Sequence, residues 1–138
     1  MFLIRRPSAA VIDRFLDQSQ ELPLSYGPVG RVGSAAPGYD FDQAAAVVGR
    51  GRSDFVRARS ALIAWRQFDV GWVETFPRRA SVGPGTVVAV LICHVGFWSL
   101  NGSRVLYQVG GLHDEDHFGF AYGTLTNHAE AGEELFEV

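Results

Sequence analysis

The residues best placed to do chemistry lie near the end of the chain. His128 is followed by Glu130, Glu133 and Glu134 and preceded by Tyr122 and Thr124. An imidazole beside several carboxylates can serve as a general acid/base pair or a weak metal site. The same residues also suit a polar loop, with a carboxylate capping backbone N–H groups and His128 bonding locally. Tyr122 and Thr124 are two apart, so on a strand they share a face. His113-Asp114-Glu115-Asp116-His117 spaces two imidazoles as a helical metal site would. It follows Gly110-Gly111 and precedes a strand, which makes it a solvated hairpin turn with no metal. Cys93 and His94 are adjacent, so a strand points them to opposite faces and they form no nucleophile–base pair.

Composition removes further chemistries. The twelve basic side chains are all arginine, so Schiff-base lysines and phosphate-loop lysines are absent. A net charge of −3 argues against nucleic acid, whose binders present a net basic face. Arg50, Arg52, Arg57, Arg59 and Arg66 fan around a helix axis as a solvated surface. The glycines of 27–38 and Gly49-Arg50-Gly51 lack the strand–loop–helix order of a nucleotide site, so no cofactor is expected. A single cysteine makes no disulfide framework within the chain. The start, Met1 to Pro7, does not have the form of a signal peptide, and the run Val87–Cys93 is too short to span a bilayer. The expectation is a cytoplasmic protein, away from the membrane.

Elements must position these residues. At 138 residues and 47% hydrophobic, the chain reads as one domain, 1–138. Ile12, Phe15 and Leu16 mark a first helix beginning near Ser8. The stretch 22–39 is a loop rich in proline and glycine, too aromatic for a flexible linker. A short helix is expected over 44–48, stopped by Gly49. A longer one should start at Ser53, with Phe55, Ala58, Leu62 and Trp65 on its buried face, and end at Gly71. From Trp72 the period becomes that of strands. Thr86–Ile92 is strongly β-prone and continues, bent at Gly96, through Trp98. Asn101-Gly102 then signals a hairpin turn. Strands follow over 103–109, 117–124 and 134–138. Helices first and hairpin-linked strands second predict an α+β fold, N-terminal helices packed on a curved antiparallel sheet.

Gly49-Arg50-Gly51, Trp65, Gly71-Trp72-Val73, Gly85-Thr86-Val87-Val88, Arg104-Val105 and the block Phe118-Gly119-Phe120-Ala121-Tyr122-Gly123-Thr124, followed by His128, Gly132-Glu133-Glu134 and Phe136, carry a resemblance. With Tyr26-Gly27-Pro28-Val29-Gly30 and Pro37-Gly38-Tyr39, the chain resembles the domain-of-unknown-function 1990 family, also called uncharacterised protein family 0548, over 24–138. The family has no agreed activity, so the resemblance implies an architecture and a motif. Its strand pattern is similar to helix-grip (START-like) domains, in which a curved sheet wraps a C-terminal helix around an apolar cavity. Members usually run on past the GEE-x-F strand into another strand and a helix. This chain stops at Val138, which would leave an apolar sheet face open, cover it with a second copy as a homodimer, or mark a truncated product.

Three functions fit. The first is a binding module for a small hydrophobic ligand or a protein partner. Its helices would lie on one side of the sheet, Tyr122, Thr124, His128 and Glu133 would be the polar anchors, and Trp72, Trp98 and Phe120 would form the apolar lining. The second is an acid/base lyase, cyclase or hydrolase using His128 with Glu133 or Glu134 as catalytic groups. The third is a structural protein whose motif serves folding and dimerisation.

Overall fold

The computed structural model describes residues 1–32, 37–111 and 116–138. Its elements run β1 (Phe2–Leu3), α1 (Ala9–Ser19), α2 (Gly51–Ile63), a short 3-10 turn (Arg66–Phe68), β2 (Val73–Phe76), β3 (Val87–His94), β4 (Phe97–Val109), β5 (Gly119–Thr124) and β6 (Glu133–Glu137). The strands make one antiparallel sheet in the order β2-β3-β4-β5-β6. β1 pairs with the first residues of β4, through Phe2↔Ser99 and Leu3↔Trp98. It occupies the edge that β5 takes further along. The fold is α+β, as the switch of hydrophobic period at Trp72 predicts.

Cross-strand partners share a face, so the registers sort every sheet side chain. Ala89, Leu91 and Leu100 meet Ile12 and Phe15 of α1, with Phe76 and Trp98 beside them. Val88, Val105, Phe120 and Tyr122 meet Leu62 and Trp65 at the end of α2. The two helices therefore cover opposite faces of the sheet, not one side. Every residue of β3 from Val87 to Leu91 is buried as a result. That two-sided burial explains why its sequence is continuously apolar rather than alternating.

α1 is amphipathic and buries Ile12, Phe15 and Ser19. α2 buries the face its spacing predicts, but it begins at Gly51, two residues before Ser53. The N-cap is Arg50, and Asp54 in the first turn reaches back to it, its Oδ2 accepting the Arg50 N–H at 2.7 Å. The short helix expected over 44–48 does not form; those residues have no regular structure and are exposed. Three alanines and two valines supply propensity there, yet no apolar face finds anything to pack against, and packing is what stabilises so short a helix.

The expected turn at Asn101-Gly102 lies inside a strand. β4 runs unbroken from Phe97 to Val109, and the hairpin turns instead at Val95-Gly96, where Gly96 has φ 89°. Asn101 is 1% exposed. Its amide nitrogen donates to Ser99 Oγ at 3.0 Å and its oxygen accepts the Ala129 N–H at 3.2 Å. Those tertiary bonds outweigh the local turn preference of Asn-Gly.

Candidate functional site

Glu133 and Glu134 are neighbours on β6, so the pleat sends them to opposite faces. Glu133 pairs with Gly123, and Glu134 pairs with Tyr122. Glu133 lies on the α1 face. Its Oε2 accepts the Tyr26 hydroxyl at 2.8 Å, and its Oε1 accepts the Tyr107 hydroxyl at 2.8 Å. The Gly30 N–H donates to Oε2 at 2.9 Å. One carboxylate thus ties the 22–30 loop, β4 and β6 together. Gly123 makes this possible: a Cβ there would collide with the Tyr26 hydroxyl. Both phenols are held protonated. Burial, then the hydrogen bond and charge of Glu133, push Tyr107 up to about 12 and raise Tyr26 further.

On the α2 face, Tyr122 donates a short hydrogen bond to the exposed Glu134. Its ring lies in an aromatic cluster. Trp65 stands edge-on to Phe120 at 4.9 Å, Phe68 is 5.8 Å from Tyr122, and Phe136 stacks on Tyr122 at 6.1 Å. Phe120 is fully buried. Burial is the main reason the Tyr122 hydroxyl stays well above its ordinary pKa, with the Glu134 charge second. Tyr122 and Phe120 are therefore packed core, and Thr124 is a pin. Its Oγ1 meets Ser25 Oγ at 2.6 Å and accepts the Gly132 N–H at 2.9 Å.

His128 sits in the turn between β5 and β6. Its Nδ1 accepts the Glu130 N–H at 3.0 Å, and its backbone N–H donates to Leu125 O at 2.9 Å. Burial lowers its pKa, opposed by the Glu130 carboxylate. No hydrogen bond joins it to Glu133 or Glu134 among the described residues. The three groups named for acid/base work thus occupy a turn and the two faces of a strand.

Trp72 and Trp98 both border Cys93. Trp98 pairs with Cys93, and the Cys93 N–H donates to Trp72 O at 2.8 Å. Leu3 extends the row across β1. Trp72, just before β2, and Trp98, on β4, thus lie on either side of Cys93. Trp72 is 57% exposed, and Cys93 and Trp98 are half-buried. Arg6 lies over the Trp98 ring at 6.0 Å and pairs with Glu74 at 2.9 Å. Exposed Phe2, Ile4, Val70, Val95 and Phe97 gather at the same end of the sheet.

A polar chain on the other face of that end escaped sequence reasoning. His94 Nε2 is 2.9 Å from Ser99 Oγ, which accepts from Asn101. The His94 ring stacks on Phe97 at 4.4 Å. Polar residues at alternate positions 99, 101 and 103 were the available signal, masked by the turn reading of Asn101-Gly102. The partners of Glu133 were equally invisible, because Tyr26 and Gly30 lie about a hundred positions away. The His113 to Glu115 part of the acidic segment lies outside the described residues; His117 contacts Glu137 at 3.2 Å. Among the described residues no cluster of three or more His, Cys, Asp or Glu side chains could hold a metal, and no helix is long and apolar enough to cross a membrane.

Residues 25–138 match the profile of a family described as "Domain of unknown function (DUF1990)", and the chain belongs to that family. It is 30% identical over 151 aligned positions to a UPF0548 protein of Dictyostelium discoideum, covering 100% of this chain and 70% of that protein. It is 34% identical over 149 positions to a UPF0548 protein of Deinococcus radiodurans, covering 99% of this chain and 73% of the other. A UPF0548 protein of Arabidopsis thaliana is 29% identical over 104 positions, 73% of this chain and 50% of its own length. No solved structure matches.

Proposed function

We propose that this domain works by binding, and that it captures the apolar surface of a small hydrophobic ligand or a protein partner on the open end of its sheet. The observation that carries this reading is the row Trp72–Cys93–Trp98. A tryptophan 57% exposed, next to the Cys93–Trp98 pair, is costly to leave in water and well suited to a hydrophobic contact. On the opposite face of the same end, the rings of exposed Phe2 and Phe97 meet at 6.0 Å between centroids, so both faces of that end carry apolar surface. Tyr122, Thr124, Phe120 and Glu133 would support the surface from within rather than touch what it binds. A free thiol at Cys93 suits the reducing cytoplasm. An acid/base reading would need His128 to reach Glu133 or Glu134; the hydrogen bonds of Glu133 run to Tyr26, Tyr107 and Gly30, and that of Glu134 to Tyr122.

The test is a pair of measurements on Trp72→Ala. Thermal unfolding should be almost unchanged, within about 0.5 kcal/mol, because the side chain is outside both core clusters. Titration with the apolar fluorescent probe anilinonaphthalene sulfonate should show binding weakened at least fivefold. Equal binding by wild type and variant would overturn the proposal. Sedimentation of the wild type shows whether a second copy occupies the patch: a dimer lost in Trp72→Ala makes the protein partner another molecule of this chain.

A further inference from the structure

The turn from Leu125 to Gly132 is held by bonds of an unusual distribution. Asn127 Nδ2 donates to Ser19 Oγ of α1 at 2.7 Å, the Ala129 N–H donates to Asn101 Oδ1 of β4 at 3.2 Å, and the Gly132 N–H donates to Thr124 Oγ1 of β5 at 2.9 Å. Within the turn, the Glu130 N–H is fastened to the Nδ1 of half-buried His128. This is the one fastening that depends on a protonation state. A neutral imidazole can accept at Nδ1 while carrying its proton on Nε2; an imidazolium carries protons on both nitrogens and accepts nothing.

We infer that the 125–132 turn contains an acid-released latch: protonation of His128 at Nδ1 ejects the Glu130 N–H and loosens the adjacent Ala129–Asn101 bond, freeing the 128–130 tip from β4 while Leu125 stays bonded to Gly102. Two charges act on the imidazole besides burial. The Glu130 carboxylate, from the turn itself, favours the charged form, and the amino-terminal ammonium, from β1, disfavours it. Burial is the largest influence and lowers the pKa below 6.5. The sign follows. The folded state holds fewer protons than the unfolded one between the two pKa values, so stability is full above pH 6.5 and falls as the pH drops from there through the lower, folded pKa.

The released turn matters for the rest of the sheet. Asn101 Oδ1 would lose its donor, and Asn101 also organises Ser99, which in turn holds His94 beneath the exposed Phe97. Acidification would thus loosen one end of a chain of bonds whose other end is the sheet surface beside Phe97.

Amide hydrogen exchange of the full chain, corrected for intrinsic rates, tests the latch between pH 7.5 and 5. Protection of Ala129 and Glu130 should fall at least tenfold in the wild type, while the Phe120 amide at the centre of β5 keeps its protection. His128→Asn should hold the turn at every pH, because an asparagine oxygen can accept the N–H two residues on without titrating in this range. Glu130→Gln should move the midpoint to lower pH, having removed the charge that favours the imidazolium. Flat wild-type protection at Ala129 and Glu130 would overturn the inference. So would parallel loss in His128→Asn and wild type. Should the asparagine variant fail to fold, the wild-type profile and the Glu130→Gln shift still decide.

Discussion

Trp65→Ala should cost about 4 kcal/mol, bringing a domain of ordinary stability close to its unfolding threshold at room temperature. Trp65 is 3% exposed and stands at the junction of α2 and the sheet. Its ring touches Phe120, Phe68 and Tyr122, at 4.9, 5.9 and 6.2 Å between centroids. Its Nε1 donates to Ala80 O at 2.9 Å, fixing the 77–82 loop over the same face. Alanine removes the ring, leaves a cavity and orphans that buried carbonyl. Trp65→Phe keeps most of the packing and loses the hydrogen bond, so about 2 kcal/mol is expected. The backbone adds a sharper discriminator. Trp65 has φ 58°, a left-handed conformation that disfavours any residue with a Cβ. Trp65→Gly relieves that strain and should be no less stable than Trp65→Ala, although glycine is the poorer helix former. Urea unfolding followed by far-ultraviolet circular dichroism measures all three. A loss below about 1 kcal/mol for Trp65→Ala would show that the α2 face is not held by this side chain.

The left-handed tryptophan marks where sequence reading succeeded and where it stopped. Phe55, Ala58, Leu62 and Trp65 share a helical spacing; the first three lie on the inner side of α2 and Trp65, just past its end, is buried in the same cluster as Leu62, so the pattern of types was sufficient. Nothing in the spacing shows that the chain leaves the helix at Trp65 rather than at Gly71, because the reversal is enforced by the rings that Trp65 meets on the sheet. The strands from Trp72 onward were legible because alternation and β-branched runs are local. The position of the β3–β4 turn was not. Val95-Gly96 carries a weaker turn signature than Asn101-Gly102, and only the burial of Asn101 among Ser99, Val90 and Ala129 reverses the choice. At the candidate site the sequence correctly paired Tyr122 with Thr124 on one face. It offered Glu133 or Glu134 as the partner of His128, and the strand sends the two carboxylates to opposite faces. The placing of α1 and α2 on opposite faces was illegible for a related reason. A helix carries its own apolar stripe but no mark of which side of a two-sided sheet will receive it.

The same physics makes the clasp around Glu133 testable as a unit. Gly123→Ala places a Cβ against the Tyr26 hydroxyl and within 2.9 Å of Tyr26 Cε1 and Leu106 Cδ1. Either the tyrosine swings away from Glu133 or the strand shifts, and a cost of about 2–3 kcal/mol is expected. Tyr26→Phe removes the hydroxyl alone. Glu133 then keeps Tyr107 and the Gly30 N–H, so this change should cost only about 1 kcal/mol. The double variant should be less destabilised than the sum of the two by about 1 kcal/mol, because the atom that collides with the new Cβ is the atom the second substitution deletes. Additive effects would mean that Gly123 is required by Leu106 or by the backbone, and that the tyrosine rests on it by chance. Glu133→Ala supplies the independent arm. It strands two phenols and an N–H at once and should exceed Tyr26→Phe, whereas Glu134→Ala, at an exposed carboxylate bonded to Tyr122, should not. A chemical role for either carboxylate would appear in an activity with little change in the unfolding midpoint; a clasp appears in the midpoint itself.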